Sequence, residues 1–201
     1  MTTKIFVPLI ATSLFCAGLA PVEAYQPKST MSQKQSLSPA KPQKPQWKRF
    51  TPPDKMFAVL MPGRPKQTSQ IQKTYMGEIE LQIFVAQPPN QEVAYLVVSN
   101  QFPFSYAKMA HPQTILNNAQ KMALKTTQSR LISQRNIRSS NGHPGKEIKY
   151  INSGGKITTS RMFVAQGRLY QVMAMTTSKQ HKTLSNTIQG YLNSFQLVLR
   201  P

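Results

Sequence analysis

Three histidines are the first candidates for chemistry in this 201-residue chain, because an imidazole can bind a metal ion or move a proton. His111 precedes a helical pattern, His143 lies in a turn pattern, and His181 precedes the last helical pattern. No HExxH, CxxC or EF-hand spacing accompanies them. Loop histidines of this kind are usually solvated, so we expect no metal site and no cofactor.

Acidic side chains are too few and too scattered for acid–base catalysis. Asp54 is the only aspartate, and it lies in the loop before the first predicted strand, so a Ser-His-Asp relay would have to depend on it. Glu78 and Glu80 share one face of a predicted strand, but we expect them to balance nearby lysines. The sequence therefore predicts a protein without enzymatic activity.

Cysteine and methionine residues also provide no good candidate for a metal site. Cys16, the only cysteine, lies in the apolar N-terminal stretch, where bulky Phe15 precedes it instead of the small residue that a lipidation signal needs. Met173 and Met175 share a predicted strand face, and Met122 lies on an apolar helix stripe, so a role in the core is favoured over a copper site.

Positive charge is the most informative functional feature. The chain has 25 Lys and Arg residues against six Asp and Glu, which gives a formal net charge of +19. From Lys48 onward, twenty basic residues stand against five acidic ones, so the charge belongs to the folded part and predicts anionic partners. We predict an anion-binding patch at the end of the first helix and on the next strand, formed by Lys121, Lys125, Arg130, Arg135 and Arg138.

The N-terminus is typical of a secretory signal peptide. Lys4 precedes the apolar stretch Ile5–Leu19, and a small-x-small pattern then ends at Ala24, after which we expect cleavage. A retained membrane anchor would need about 20 apolar residues, whereas this stretch is shorter and contains Pro8. We expect an exported protein in the periplasm or the thylakoid lumen, with no transmembrane span after cleavage.

Residues 25–46 are rich in Gln, Lys, Ser and Pro and contain almost nothing apolar, so we expect a disordered linker with a polyproline II bias. Four lysines and no acid lie in it. Two interpretations remain open: a tether that binds anionic lipid or polymer, and a solvated spacer. The folded domain is predicted to span residues 47–201.

Periodicity predicts eight strands and two helices. The strands are expected at Phe57–Met61, Gln67–Tyr75, Ile79–Ala86, Val93–Ser99, Arg130–Ser139, Lys146–Asn152, Lys156–Ala165 and Arg168–Thr176. One helix is predicted within residues 111–128, and a closing helix is predicted to follow Thr183 or Ser185 as its cap, with an apolar stripe of Leu184, Ile188, Tyr191, Leu192 and Phe195.

The order of these elements, four strands, a helix, four strands and a helix, predicts an α+β domain in which helices cover one twisted, mostly antiparallel sheet. Phe57–Met61 is predicted to be its first strand. Pro62 and Pro65 should then turn the chain out of the sheet, because proline cannot donate a ladder hydrogen bond. A hairpin is expected to turn at Met76 and Gly77.

The segments "FAVLMP", "RMFVAQGRLYQVMA" and "YLNSFQLV" together resemble the PsbP-like superfamily, which contains extrinsic photosystem II proteins. The segments "FAVLMPGRP" and "NGHPGKEI" are similar to small exported cyanobacterial and bacterial domains of the same fold. The resemblance covers residues 47–199. It implies an α-β-α sandwich and, for the photosynthetic members, a lumenal accessory or assembly role without catalysis.

Two functions are consistent with these features. The favoured one is an exported, non-catalytic accessory or assembly protein whose basic surface docks on the acidic surface of a membrane complex, such as photosystem II or another thylakoid complex. The alternative is a soluble periplasmic or cell-surface module that binds an anionic polymer or a small ligand. Anionic lipid also fits the charge, whereas export and the lack of an RNA-binding motif exclude nucleic acid.

Overall fold

The computed structural model describes residues 45–74, 77–89, 91–103 and 110–198, so the expected signal peptide and nearly all of the expected linker lie outside the described residues. The strands β1 to β10 span Trp47–Phe50, Phe57–Pro62, Lys66–Thr74, Gly77–Ala86, Val93–Gln101, Ser129–Arg138, Pro144–Asn152, Lys156–Ala165, Arg168–Thr177 and Gln196–Leu197. The helices α1 to α3 span Pro112–Thr126, Ser178–Thr183 and Ser185–Asn193. None of these three described helices has the length and apolar character of a membrane span.

Seven strands form one antiparallel sheet in the order β3-β4-β5-β9-β8-β7-β6. This architecture confirms the expected α+β class with its mostly antiparallel sheet. All eight expected strands are present, and their ends differ from the predicted ends by at most two residues. Thr74 pairs with Gly77 across the β3–β4 hairpin, and residues 75 and 76 between them lie outside the described residues.

The inner strand β5 is buried on both faces, because every residue from Val93 to Asn100 is buried. Tyr95 and Val97 pack into one core, and Leu96 and Val98 pack into another on the opposite side. Side chains alternate along a strand, so the two cores lie on opposite faces of the seven-stranded sheet. Both faces must therefore be covered, which gives a three-layered domain.

The first face is covered by helix α3 and by a small antiparallel sheet of order β1-β2-β10. Phe57 of β2 lies at the centre of an aromatic cluster, with ring centroids 5.8 Å from Phe84, 5.5 Å from Phe195 and 6.3 Å from Tyr170. Aromatic rings that meet at such separations bury a large apolar area and add a geometric preference. This cluster packs the small sheet, and Phe195 just after α3, against the large sheet.

Strand β2 is thus part of a second sheet, and it continues one residue beyond the predicted end. Pro62 pairs with Trp47, and a proline is tolerated there because it lies at the end of the strand. Gly63 follows with φ of 93°, a conformation that favours glycine, and leads the chain into β3 of the large sheet. Strands β1 and β10, with four and two residues, were not predicted because such short strands carry no readable period.

The second face is covered by α1, which buries Ile115, Leu116 and Ala119 against the sheet. Next to them Lys146 of β7 is only 7% exposed, and its Nζ donates to Asn117 Oδ1 (2.5 Å) and Gln120 Oε1 (3.0 Å) of α1. Burial lowers the pKa of Lys146. Two amide acceptors satisfy this buried amine and fix the position of the helix on the sheet.

The predicted closing helix is present as α3, and the short helix α2, which was not predicted, precedes it. The predicted cap, Thr183 or Ser185, is wrong, because Leu184 is the residue before α3 and forms no side-chain capping bond. Helix α2 is capped by Thr177, whose side chain accepts from the Gln180 backbone N–H. The predicted apolar stripe is present. Its buried members are Ile188, Tyr191, Leu192 and Phe195, and Leu184 packs against the same core.

Gly145 of β7 offers a direct test of how closely the strands pack. A Cβ atom at this position would lie 2.6 Å from the Met162 backbone oxygen and 2.5 Å from Phe163 Cδ1. We expect Gly145→Ala to lower the free energy of unfolding by about 1–3 kcal/mol, because backbone atoms cannot move aside cheaply. Urea unfolding would measure the change.

The matched control is Gly190→Ala in α3, where nothing lies within 4 Å of the added carbon. This variant should be neutral, or more stable by up to about 1 kcal/mol, because alanine favours helix more than glycine does. Equal effects of the two substitutions would contradict the described packing of β7 against β8.

Candidate functional site

The five basic residues predicted from the sequence do not share one surface. Lys121 and Lys125 are exposed on α1, above the second face of the large sheet. In the edge strand β6, Arg130 is paired with Ile151 and Arg135 with Glu147, so both point toward the first face. Arg138 lies at the far end of β6 and donates to the Gly142 carbonyl oxygen (2.7 Å). Their role in anion binding stays a prediction.

Arg135 is part of an ion-pair network that runs across three strands. Its Nε donates to Glu147 Oε1 (2.8 Å), and Arg161 Nε donates to Glu147 Oε2 (2.6 Å). Arg161 Nη1 also donates to Asn193 Oδ1 (2.8 Å) at the end of α3. Burial by itself raises the pKa of Glu147, but the hydrogen bonds and charges of the two arginines outweigh burial, so the pKa is lowered.

A different group of cations converges at the end of the large sheet where β5 begins and β9 ends. An open cleft of about 910 Å³ lies there, between the β2–β3 turn, the β4–β5 loop and α2. Its basic and amide walls are formed by Arg64, Lys66, Lys179, Gln87, Gln91 and Gln180. Arg64, Lys66 and Lys179 are exposed, and none of them forms an ion pair within the described chain.

Two smaller clefts adjoin this one. The first, of about 470 Å³, shares Arg64 with the central cleft and adds Lys48 and Arg49 of β1. The second, of about 270 Å³, shares Gln91 with the central cleft and adds Lys156 at the start of β8. We call the three clefts together the cationic groove, whose basic residues are Lys48, Arg49, Arg64, Lys66, Lys156 and Lys179.

Three hydrogen bonds connect the residues that form the wall of the groove beside α2. Thr177 Oγ1 donates to Glu92 Oε2 (3.2 Å), and the Glu92 backbone N–H donates to Gln180 Oε1 (3.0 Å). Ser178 Oγ donates to the Gly155 carbonyl oxygen (2.8 Å), which joins α2 to the β7–β8 turn. These hydrogen bonds connect the start of α2 to Glu92 and to the β7–β8 turn.

The groove is suited to bind anions. Glu92 is the only acidic residue among the described residues that line it, and its carboxylate accepts the Thr177 hydrogen bond. Lys and Arg supply charge, while each Gln amide can both donate and accept a hydrogen bond. The basic side chains can pair with an anionic group, and the Gln amides can pair with hydrogen-bond donors and acceptors next to that group.

The three histidines do not lie together. His111 and His143 line one open cleft beside the N-terminus of α1, and His111 Nδ1 accepts from the Gln113 backbone N–H (3.3 Å). His181 lies on α2, where burial and, to a smaller extent, the charge of Lys149 lower its pKa. Within the described chain, no three His, Cys, Asp or Glu side chains form a group that could hold a metal ion.

Sequence reasoning missed the cationic groove because its basic residues come from four separate chain segments. The only local signal was "MPGRPK", in which a glycine with positive φ and two prolines present Arg64 and Lys66 at the β2–β3 turn. Lys156 and Lys179 become their neighbours only through the strand order. Net charge predicts the sign of a partner, but it does not predict where on the surface the basic residues converge.

Comparison with solved structures shows a PsbP-like fold. The solution structure of cyanobacterial PsbP (CyanoP) from Synechocystis sp. PCC 6803 matches with a TM-score of 0.54 and 10% sequence identity, covering 83% of this chain and 98% of that chain. A crystal structure of a Pseudomonas aeruginosa protein of unknown function matches with a TM-score of 0.43 and 14% identity, covering 66% of this chain and 98% of that chain. No protein-family model and no curated protein matches the chain.

The Glu147 network gives a prediction on stability and pH. Glu147→Gln removes the charge between two arginines, of which Arg161 is only 12% exposed, so we expect a loss of about 1–3 kcal/mol at neutral pH. Because the folded pKa is lowered, the carboxylate stabilises the fold at pH values above its unfolded pKa. That stabilisation is lost as the pH falls through the folded pKa.

Urea unfolding from about pH 7 to about pH 3 should therefore show a difference between the two proteins that shrinks on acidification. The control is Glu80→Gln, which removes the same charge from an exposed position on β4 and should change stability by less than about 0.5 kcal/mol. A Glu147→Gln effect that grows at low pH would contradict the network.

Proposed function

We propose that this chain is an exported, non-catalytic accessory or assembly protein that docks through basic side chains on the acidic surface of a membrane complex. The observation that carries the proposal is the cationic groove, in which six basic residues surround a single acidic one. The PsbP-like fold favours photosystem II or another thylakoid complex as the partner.

The acidic residues of the domain support this proposal, because internal contacts occupy several of them. Asp54 accepts from Arg168 Nη1 (2.9 Å), and Glu147 lies between Arg135 and Arg161. Glu78 lies 4.0 Å from Lys73 on the exposed β3–β4 hairpin. Positive charge is therefore left over at the surface, where it attracts acidic partners over about a Debye length.

Export belongs to the same proposal. The expected signal peptide would carry the protein to the periplasm or the thylakoid lumen, where acidic faces of membrane complexes are accessible. Exposed charge pairs contribute more to association rate and orientation than to affinity, so docking should be fast and sensitive to salt.

The alternative function has one observation in its favour. The central cleft, at about 910 Å³, falls within the size range of small-ligand sites. A soluble module that binds an anionic polymer or a small anion would use the same cations without any membrane partner. The two functions can be distinguished by identifying the molecules that salt releases from the membrane together with the protein.

The test is fractionation of the native host. Membranes carrying the tagged protein are washed at increasing salt, from roughly 0.05 M to 1 M NaCl, and crosslinked proteins are identified by mass spectrometry. We expect retention at low salt, release at high salt, and crosslinks to the subunits of one defined membrane complex.

The control is the same wash with a neutral osmolyte, which leaves charge screening unchanged and should release nothing. Recovery of the protein in the soluble fraction at low salt, without a crosslinked protein, would contradict docking and favour the alternative.

A further inference from the structure

We infer that the cationic groove binds an extended acidic segment of a partner polypeptide, with its carboxylates at Arg64, Lys66 and Lys179. This inference rests on the proposed docking function, for which it names the binding surface and the chemistry of the partner. It differs from the patch predicted on α1 and β6, which the fold divides between two faces of the sheet.

The shape of the groove favours an extended chain. The three clefts share lining residues, so a ligand can pass from Lys48 and Arg49, along Arg64 and Lys66, to Lys156. A compact anion would occupy one cleft and leave the others unused. A strand-like peptide advances about 3.3 Å per residue and can place successive carboxylates at separate cations.

The polar chemistry of the groove favours a polypeptide over other polyanions. Gln87, Gln91 and Gln180 line the central cleft, and a glutamine amide offers both donors and an acceptor. Polyphosphate and phosphate headgroups supply only acceptors, so they cannot pair with the carbonyl oxygens of Gln87 and Gln91, whereas Gln180 Oε1 already accepts from the Glu92 backbone N–H. A peptide backbone supplies N–H and C=O groups together. A concave groove also fits a flat membrane surface poorly.

Prolines and hydrogen bonds restrain the walls of the groove. Pro62, Pro88 and Pro89 line the central cleft, and each has a fixed φ angle and no N–H group. The hydrogen bonds among Thr177, Glu92 and Gln180 hold the facing wall. A groove that is already formed loses little conformational entropy on binding, which favours affinity.

The smallest cleft adds a specificity element. Val93, Ala94 and Met175 form apolar walls there, beside Lys156. This arrangement suits an apolar side chain that lies next to an acidic one. The partner segment should therefore combine several Glu or Asp residues with at least one aliphatic residue.

The first experiment measures fluorescence anisotropy with the exported chain and a labelled ten-residue peptide of alternating Glu and Gly with one central Leu. The groove variant carries Arg64→Glu, Lys66→Glu and Lys179→Glu. Its matched control carries Lys121→Glu, Lys125→Glu and Arg130→Glu, which change the net charge equally outside the groove. We expect the groove variant to bind about tenfold more weakly or worse, and the control to change by less than about threefold.

All six positions are exposed, and thermal unfolding of each variant checks that the fold is kept. A neutral version with Arg64→Gln, Lys66→Gln and Lys179→Gln should lie between the wild-type protein and the groove variant. Equal losses in the groove variant and its control would overturn the inference, because binding would then follow net charge alone.

Two further probes test the class of ligand. Inorganic polyphosphate and vesicles of phosphatidylglycerol are titrated with the same variants. If the affinity for these probes depends less on Arg64, Lys66 and Lys179 than the affinity for the peptide does, the result supports a polypeptide ligand. Tighter binding of either probe than of the peptide, with the same dependence on the groove cations, would overturn it.

The inference and the docking function fail in different ways. If the groove variant is still retained on the membrane complex like the wild-type protein, the groove inference is wrong and the docking function stands. If the peptide binds the groove but no membrane complex is recovered, the docking function is wrong and the groove stands.

Discussion

The pairing of β5 with β9 is the interaction on which the rest of the structure depends. The two strands pair over nine positions, from Val93 opposite Thr176 to Gln101 opposite Arg168, and most of their residues are buried on both sides. A strand pair that is apolar on both faces cannot remain next to water on either. The two covering layers, α1 on one face and the small sheet with α3 on the other, follow from this constraint.

The same constraint creates the cationic groove. The covering layer on the first face starts with β1 and must return to the large sheet through the β2–β3 turn, which brings Arg49 and Arg64 to one end of the sheet. At that end β9 passes into α2 and brings Lys179. The groove therefore lies where two layers meet, on turns held by the two cores, and positive charge there costs no core packing.

Much of the fold could be predicted from the sequence, because the alternation of apolar and polar residues can be read within each strand segment by itself. Ile79, Leu81 and Ile83 alternate with polar residues and all face the second core, and α1 buries Ile115 and Leu116 as its stripe predicts. Less could be predicted of the site. Lys121 and Arg135 are near in sequence yet lie on opposite sides of the sheet, whereas Arg64 and Lys179 are far apart in sequence and line one cleft. Such proximity depends on the order of the strands in the sheet, and the periodicity of a single segment does not reveal that order.

The groove inference requires that the cationic groove, and not the net charge of the domain, binds an acidic partner segment. The most direct measurement is the change in backbone amide chemical shifts of the ¹⁵N-labelled protein on titration with the Glu-rich peptide. We expect saturable shifts that are confined to Arg64, Lys66, Gln87, Gln91 and Lys179 and their neighbours, with α1 and β6 unchanged. Shifts that centre on Lys121, Lys125 and Arg130, or that spread evenly over all basic residues, would contradict it.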